Sequence, residues 1–380
     1  MKQVSKSMKR HTKQCFLAIS YLLFLTSCGE QINSTDETAI FEKTDEYVEN
    51  MMDSLEIIGL NYAILINGKL VHKKAMGLAN LEHQVPMTLD NLFAVASISK
   101  LISSTALHRL LKIKGRSVHE TVGEFLPTHR DLPESWRDLT LKHLLTHTSG
   151  IPDQIDYQIY LAPESDQFVI EALKDKPFSS IPGDATKYNA TGFMLVRMIF
   201  EELAGQDFET HMQENYFDKL NLTTANYGGF KKVVPKRVTS YRKTGGKLEM
   251  FPLAYAPPMY AAAGLNISLH ELVIWIQAVL NEEIVSKEQL DSIWTPAKLN
   301  NDNVGPFGLG WETRQLENGV WLTGHGGAGI SSIRHYWKDD TQKTVTVILL
   351  TNGARNWIQM PDDVNMGIAN HFIPGITNLN

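Results

Sequence analysis

Ser97-Ile98-Ser99-Lys100 stands where the β-prone Phe93-Ala94-Val95 passes into an apolar run carrying Leu101, Leu107, Leu110 and Leu111. On the first turn of a helix, residues three apart share a face, so the Lys100 amine reaches the Ser97 hydroxyl. A serine hydroxyl is a weak nucleophile until a neighbouring base takes its proton, and a helix N-terminus adds N–H groups and a positive field for developing negative charge. The tetrapeptide is short, and about one chance match is expected in a chain of this composition. Ser240-Tyr241-Arg242-Lys243 is indeed a second copy, but it runs straight into the turn-like Thr244-Gly245-Gly246. For Ser97 the plainer alternative is a helix cap followed by an exposed lysine.

Two further places carry chemistry. The loop Pro182-Gly183-Asp184-Ala185-Thr186-Lys187-Tyr188-Asn189 feeds a helix holding Phe193, Val196 and Ile199. A phenol near an ammonium has its phenolate stabilised, so Tyr188 beside Lys100 and Lys187 would shuttle protons; otherwise it is a packed tyrosine. Gly324-His325-Gly326-Gly327-Ala328-Gly329 follows the strand-like Trp321-Leu322-Thr323 and satisfies G-x-G-x-x-G. A dinucleotide site needs a helix next and an acid about 20 residues on. Ile330 to Trp337 reads instead as loop and strand, so the glycines are read as allowing close approach of a ligand, with the Ala328 N–H as an oxyanion donor.

These groups need a scaffold. Phe41, Val48, Met51, Met52 and Leu55 recur at helical spacing in a polar segment, predicting a surface helix. Tyr62 to Ile66 and Lys69 to Met76 flank Asn67-Gly68, the signature of a two-residue hairpin turn. Val320 to Thr323, Ile333 to Trp337 and Val345 to Leu350 are β-rich, the last two joined near Asp339-Asp340. Between them, Ile98 to Lys114 stops at Gly115 and Gly192 to Ala204 stops at Gly205, each reading as a helix ended by glycine. The expected fold class is α/β: a mixed, mainly antiparallel sheet whose first and last segments pair, flanked by helices and holding an inserted, mostly helical lobe.

The chain has 380 residues, 43% hydrophobic and 21% charged, the balance of a globular protein rather than a disordered or fibrous one. A net charge of −6, with no basic stripe outside the extreme N-terminus, argues against nucleic acid as a partner. Lys2, Lys6, Lys9, Arg10 and Lys13 precede the apolar run Phe16 to Leu25, the pattern of an export signal too short for a permanent membrane helix. Leu25-Thr26-Ser27-Cys28-Gly29 resembles a bacterial lipoprotein box, in which cleavage frees Cys28 for acylation and anchoring. A plain secretory signal with a chance cysteine is the alternative. Cleavage there leaves thirty-one bases against forty-two acids, a net charge of −11. The expected organisation is a signal peptide over 1–27, a polar tether over 28–40 and one domain over 41–380. Within it, a sheet lobe spans about 41–95 and 255–380 and a helical lobe about 96–254.

Several ordered segments resemble the serine β-lactamase and penicillin-binding family, in the branch of class C β-lactamases, D-Ala-D-Ala carboxypeptidases, D-aminopeptidases and esterases. Besides Ser97 and Lys100, Leu144-Leu145-Thr146-His147-Thr148-Ser149-Gly150-Ile151-Pro152 is similar to its L-L-T-H-T-S-G-L-P segment. Phe307-Gly308-Leu309-Gly310-Trp311 and Ala262-Ala263-Gly264-Leu265 are similar to Y-G-L-G-W and A-G-G-L. The resemblance implies a β-lactamase/transpeptidase-like fold, Ser97 as the acylated nucleophile, and proton exchange by Lys100 and Tyr188. It places the oxyanion hole at the N–H groups of Ser97 and Ala328, and His325, Gly326 and Gly327 at the family's third motif. The literal Lys243-Thr244-Gly245 lies too early in the chain for that motif. The family's Y-x-N is broken, since Tyr188-Asn189-Ala190 puts alanine where the amide belongs and Asn189 one place early. Efficient β-lactam hydrolysis is therefore less expected than peptidase or esterase activity.

The expectation is thus an exported, lipid-anchored serine hydrolase of the bacterial envelope, acting through an acyl-enzyme on an amide or ester. It would be D-Ala-D-Ala carboxypeptidase- or D-peptidase-like, or esterase-like. A class C type β-lactamase and a non-catalytic binder of cell-wall peptides or penicillin are the alternatives. No cofactor is expected. No metal is expected either: His143 and His147 are four apart as helix-borne zinc ligands would be, but no H-E-x-x-H occurs. No G-x-S-x-G elbow is present.

Overall fold

Two core clusters, one on each face of a seven-stranded antiparallel sheet, organise the computed structural model, which describes residues 34–129, 131–153, 165–229, 231–253, 255–353 and 360–376. The expected signal peptide, Cys28 and residues 28–33 of the expected tether lie outside the described residues. Contacts group Ile40–Asn380 into one compact unit.

The strands are β1 (Gly59–Ile66), β2 (Lys69–Asn80), β3 (Val85–Pro86), β4 (Leu92–Ala94), β5 (Asn226–Tyr227), β6 (Tyr241–Thr244), β7 (Lys247–Met250), β8 (Leu265–Ser268), β9 (Glu312–Gln315), β10 (Trp321–Gly327), β11 (Ser331–Trp337) and β12 (Val345–Thr351). The large sheet runs β3-β2-β1-β12-β11-β10-β9. The first long strand thus pairs with the last, Ala63 opposite Ile348, closing the sheet across nearly the whole domain. Side chains alternate across a strand, and β1 uses both faces. Leu60, Tyr62 and Ile64 enter one core, Ala63 and Leu65 the other. Asn67 and Gly68 turn the β1–β2 hairpin with φ of 50° and 74°, the left-handed pair that a two-residue turn requires.

The opening helix spans Ser34–Leu55. Its Val48 is buried against the sheet, with Phe41, Met51, Met52 and Leu55 beside it, as the apolar stripe predicts. The helix begins at Ser34 rather than near Ile40, so residues 34–40 of the expected tether are helical.

On the opposite face, the helix Ile98–Lys114 is buried from Ile98 through His108 and again at Leu110 and Leu111, which makes it a central rather than a surface element. It ends at Gly115 (φ 64°), and the helix Thr191–Ala204 ends at Gly205 (φ 72°), both as the glycine stops predict. Thr191–Ala204 packs against Ile98–Lys114, and Leu269–Leu280 lies against β1 and β12. A small sheet, β4-β8-β5, leads the chain into the nucleophile turn. The second S-x-x-K copy lies largely in the exposed hairpin β6–β7, where Lys243 pairs with Glu56 at 2.6 Å.

The helix Met360–Asn370 is docked by a buried amide. Asn365 Nδ2 donates to Val347 O at 3.0 Å, and the Tyr336 hydroxyl donates to Asn365 Oδ1 at 2.8 Å. Asn365→Ala leaves the buried Tyr336 hydroxyl without its acceptor, so chemical denaturation should show a loss of about 1–3 kcal/mol.

Candidate active site

Ser97 is held by contacts on both sides of its turn. Val95 N–H donates to Leu265 O at 3.0 Å, and Ser331 Oγ donates to Val95 O at 2.9 Å, tying the turn to β8 and β11. Ala96 takes a left-handed φ of 48°, a strained conformation that needs such a surround. Ser97 occupies the helix N-cap, yet its side chain makes no capping bond. The plain helix-cap reading therefore fails: the hydroxyl serves other partners.

Those partners are the expected ones. Lys100 Nζ lies 3.2 Å from Ser97 Oγ and donates to Ala262 O at 2.9 Å. The Tyr188 hydroxyl donates to Ser97 Oγ at 2.8 Å. The lysine nitrogen also sits 4.9 Å from the centre of the Tyr188 ring. A strand end, one helical turn and a distant loop thus deliver three groups to one point.

Burial decides their charge states. Lys100 is 1% exposed, and desolvation lowers its pKa from 10.5 to about 7 against the opposing pull of Asp153 and Glu312. The surrounding protein holds the Tyr188 phenol above its ordinary range, although 42% of the residue is open and its bond to Ser97 pulls the other way. The expected phenolate beside two ammonium groups is therefore corrected: a neutral phenol faces an amine that is largely uncharged above neutral pH. Lys187 is exposed, and its contribution is a backbone N–H donated to His147 O at 2.7 Å.

That bond belongs to a staple between the tyrosine loop and the Leu144–Pro152 segment. Gly183 N–H donates to Thr148 O at 2.8 Å, and Asn189 N–H donates to His147 Nδ1 at 3.1 Å. The His147 ring packs 4.4 Å from the Tyr188 ring and edge-on at 4.6 Å to Phe307. Burial, with Lys100 and His325 nearby, holds His147 neutral far below its ordinary pKa. His143 meanwhile accepts the Thr140 N–H in a capping box, so the two histidines serve separate structural purposes. Among the described residues no group of three or more His, Cys, Asp or Glu side chains is placed to hold a metal ion.

Asn189 is a correction. Its Nδ2 donates to Ile151 O at 2.8 Å and its Oδ1 accepts from Gly192 N–H at 2.7 Å, so the buried amide braces the Thr191–Ala204 helix rather than facing the cleft. Ala190 and Thr191 N–H groups are taken by Asp153 Oδ1 at 3.0 and 3.1 Å.

The glycine-rich segment forms the far wall. It lies in β10, hydrogen-bonded to β11, which removes the helix a dinucleotide site needs. A Cβ on Gly327 would lie 2.3 Å from Val95 O, so only glycine lets β10 come this close to the nucleophile turn. Ala328 follows with φ 45°, and neither its N–H nor that of Ser97 has an acceptor among the described residues. Ser97, Tyr188, His325, Gly326, Gly327 and Ala328 share a cavity of about 420 Å³ with Glu312 and Asp362.

Three residues at or behind this cavity escape a reading by sequence alone: Glu312 and Asp362, which line it, and the buried Arg334 that pairs with both. Arg334 Nη2 lies 2.5 Å from Glu312 Oε2 and 2.8 Å from Asp362 Oδ2. Arg334 could have been found as the one charge inside the apolar stretch Ile333–Trp337, and Glu312 by its place after Trp311; Asp362 carries no local signal.

A mainly antiparallel sheet with helices, carrying an S-x-x-K serine at the start of its central helix, defines the β-lactamase fold. The chain belongs to the Beta-lactamase family, whose family model matches residues 44–368. It is 23% identical over 265 residues to the Putative penicillin-binding protein PbpX of Bacillus subtilis (strain 168), covering 69% of this chain; the chain spans 66% of that relative's length. Protein flp of Staphylococcus aureus (strain MW2) is 21% identical over 341 residues, 87% of this chain and 67% of the relative. The fold is similar to that of EstCE1, a hydrolase with promiscuous acyltransferase activity (TM-score 0.72, 16% identity, 89% of this chain and 99% of that one). It is also similar to the D-amino acid amidase from Ochrobactrum anthropi SV3 (TM-score 0.71, 19% identity, 89% and 97%).

Because Lys100 titrates at about 7 folded and 10.5 unfolded, the unfolded state binds more protons between those values, and the lysine costs stability there. Lys100→Met should therefore melt higher than the parent at neutral pH, by on the order of a few °C, with the gap closing as pH rises toward 10.5. Calorimetry across that range reads it.

Proposed function

We propose that the protein hydrolyses an amide or ester through an acyl-enzyme on Ser97. The observation that carries this reading is the convergence of Lys100 Nζ and the Tyr188 hydroxyl on Ser97 Oγ, at 3.2 and 2.8 Å. The neutral Lys100 amine accepts the Ser97 proton as Oγ forms a bond to the substrate carbonyl carbon, and its own N–H stays on Ala262 O. The carbonyl oxygen takes the negative charge toward the free N–H groups of Ser97 and Ala328. The bond from carbon to the leaving nitrogen or oxygen then breaks, and the proton travels from Lys100 through Tyr188 to the departing group. Water adds to the acyl carbon and returns a proton by the same relay, restoring the serine hydroxyl. Glycines 326 and 327 give the substrate close access, and His325 closes the wall.

Ser97→Ala should abolish turnover and remove labelling by a fluorophosphonate probe. Turnover or labelling that persists in that variant would overturn the assignment. Tyr188→Phe keeps the ring packing but removes the relay, and a fall in kcat of about 10²–10³ is expected. With Lys100 active as the free base, the rate of labelling should rise with pH through about 7 and level off above it.

The N-terminal sequence supports a second part of the proposal: export, cleavage before Cys28, and anchoring to a bacterial envelope membrane on the non-cytoplasmic side. Among the described residues no helix is long and apolar enough to cross a membrane. Cys28→Ser should move the protein from the membrane to the soluble fraction and prevent incorporation of labelled palmitate; unchanged fractionation would count against the anchor.

A further inference from the structure

A second cavity, of about 300 Å³, lies between the β1–β2 turn, the β11–β12 connection and the helix Lys287–Trp294. His335 lines it and Ser331 lines the Ser97 cavity; both stand on β11 four residues apart, so about 13 Å of strand separates the two places. The second cavity has an aromatic wall. Trp294 and His335 line it with ring centres 5.4 Å apart, and Trp337 and Trp321 continue the stack at 5.8 and 6.0 Å. The Trp294 N–H is enclosed, so this indole offers the cavity ring carbon rather than a donor.

The polar groups around that wall are uncharged or already engaged. His335 is 6% exposed, and burial pushes its pKa down to about 4, so the imidazole is neutral. Its Nδ1 lies 2.8 Å from Thr346 Oγ1, whereas its Nε2 has no partner among the described residues and is not among the enclosed atoms, so it opens on the cavity the ring lines. At the rim, Asn67 commits Oδ1 to the Thr344 N–H at 2.8 Å and keeps Nδ2 open; Asn281 keeps Oδ1 and Gln342 its whole amide without partners among the described residues. The charged rim residues serve one another: Lys287 Nζ donates to Asp291 Oδ1 at 2.6 Å, and Glu282 Oε2 accepts the Lys287 backbone N–H at 3.0 Å.

We infer that this cavity binds a pyranose sugar of a glycan, with the C–H face of the ring on Trp294 and its hydroxyls on His335 Nε2 and the amides of Asn67, Asn281 and Gln342. A pyranose carries an apolar face and a perimeter of neutral groups that both donate and accept, which is the complement of an indole edged by amides. A hydroxyl pairs with Nε2 whichever imidazole nitrogen holds the proton. An apolar ligand would instead bury Nε2 and the open amides unpaired. The volume stands at the lower bound of small-ligand cavities, the scale of one or two sugar rings. The site does not depend on the acyl-enzyme reading; it gives the domain a hold on carbohydrate apart from the nucleophile.

Saturation-transfer NMR on the full chain tests this with cellobiose, N,N′-diacetylchitobiose and sorbitol, an open-chain polyol that has the hydroxyls without the flat face. At least one disaccharide should half-saturate in the low-millimolar range, with sorbitol weaker by about tenfold or more; which disaccharide leads tells a neutral from an N-acetylated sugar. Asn281→Ala combined with Gln342→Ala, both at exposed positions, should weaken the leading disaccharide about tenfold, and so should His335→Phe, which keeps a ring but removes Nε2. Labelling of Ser97 by a fluorophosphonate should proceed at the parent rate in the double variant and in the presence of either sugar. Silence from both disaccharides, sorbitol binding as well as they do, unchanged affinity in the double variant, or protection of Ser97 by the sugar each overturns the site. Should His335→Phe fail to fold, the double variant decides alone. Absence of labelling at Ser97 in the parent protein would defeat the hydrolase reading while the sugar titrations still stand.

Discussion

The desolvation of a single amine governs this site. Lys100 enters the core one turn after Ser97, and burial removes most of the stabilisation that water gives an ammonium. The protein does not restore it with an adjacent carboxylate: Asp153 and Glu312 act only from a distance, and the nearest partners are a hydroxyl and a backbone carbonyl. The result is a basic nitrogen beside a serine oxygen near neutral pH, bought with stability that a methionine would not forfeit.

Holding that arrangement explains much of the surrounding architecture. The nucleophile turn is tied to β8 and β11, and Ala96 and Ala328 both adopt left-handed backbone that their neighbours must enforce. Tyr188 comes from a loop with no regular structure, so its position depends on the bonds that loop makes to Thr148 and His147 and on the His147 ring packed against its own. Pairing of β1 with β12 brings the two ends of the domain together and leaves the glycine-rich strand β10 within the same sheet. The buried Asn365 then fixes the C-terminal helix, and with it Asp362, against β11 and β12.

Local chemistry made part of this legible. The Asn67-Gly68 turn, the helices ended by Gly115 and Gly205, and the strands from Val320 onward follow from short-range preferences that packing reinforces. The helix spacing that joins Ser97 to Lys100 is local in the same sense. The charge state of Tyr188 was not legible, because it depends on how much protein encloses the phenol and on whether its ammonium neighbours are charged at all. Asn189 misled for a related reason: an amide beside a tyrosine is close in sequence, but the turn into Thr191–Ala204 points it at Ile151 and Gly192.

The order of residues along the chain was enough to single out Ser97, Lys100 and Tyr188 as candidates, the family resemblance, and most of the elements carrying them, since periodicity, turn residues and one helical turn are properties of neighbouring positions. It could not settle the cluster of Glu312, Arg334 and Asp362, drawn from two strands and a helix spread over fifty residues, nor the protonation of Lys100. Those belong to the folded structure, because pairing across a sheet and exclusion of water arise only when distant segments meet.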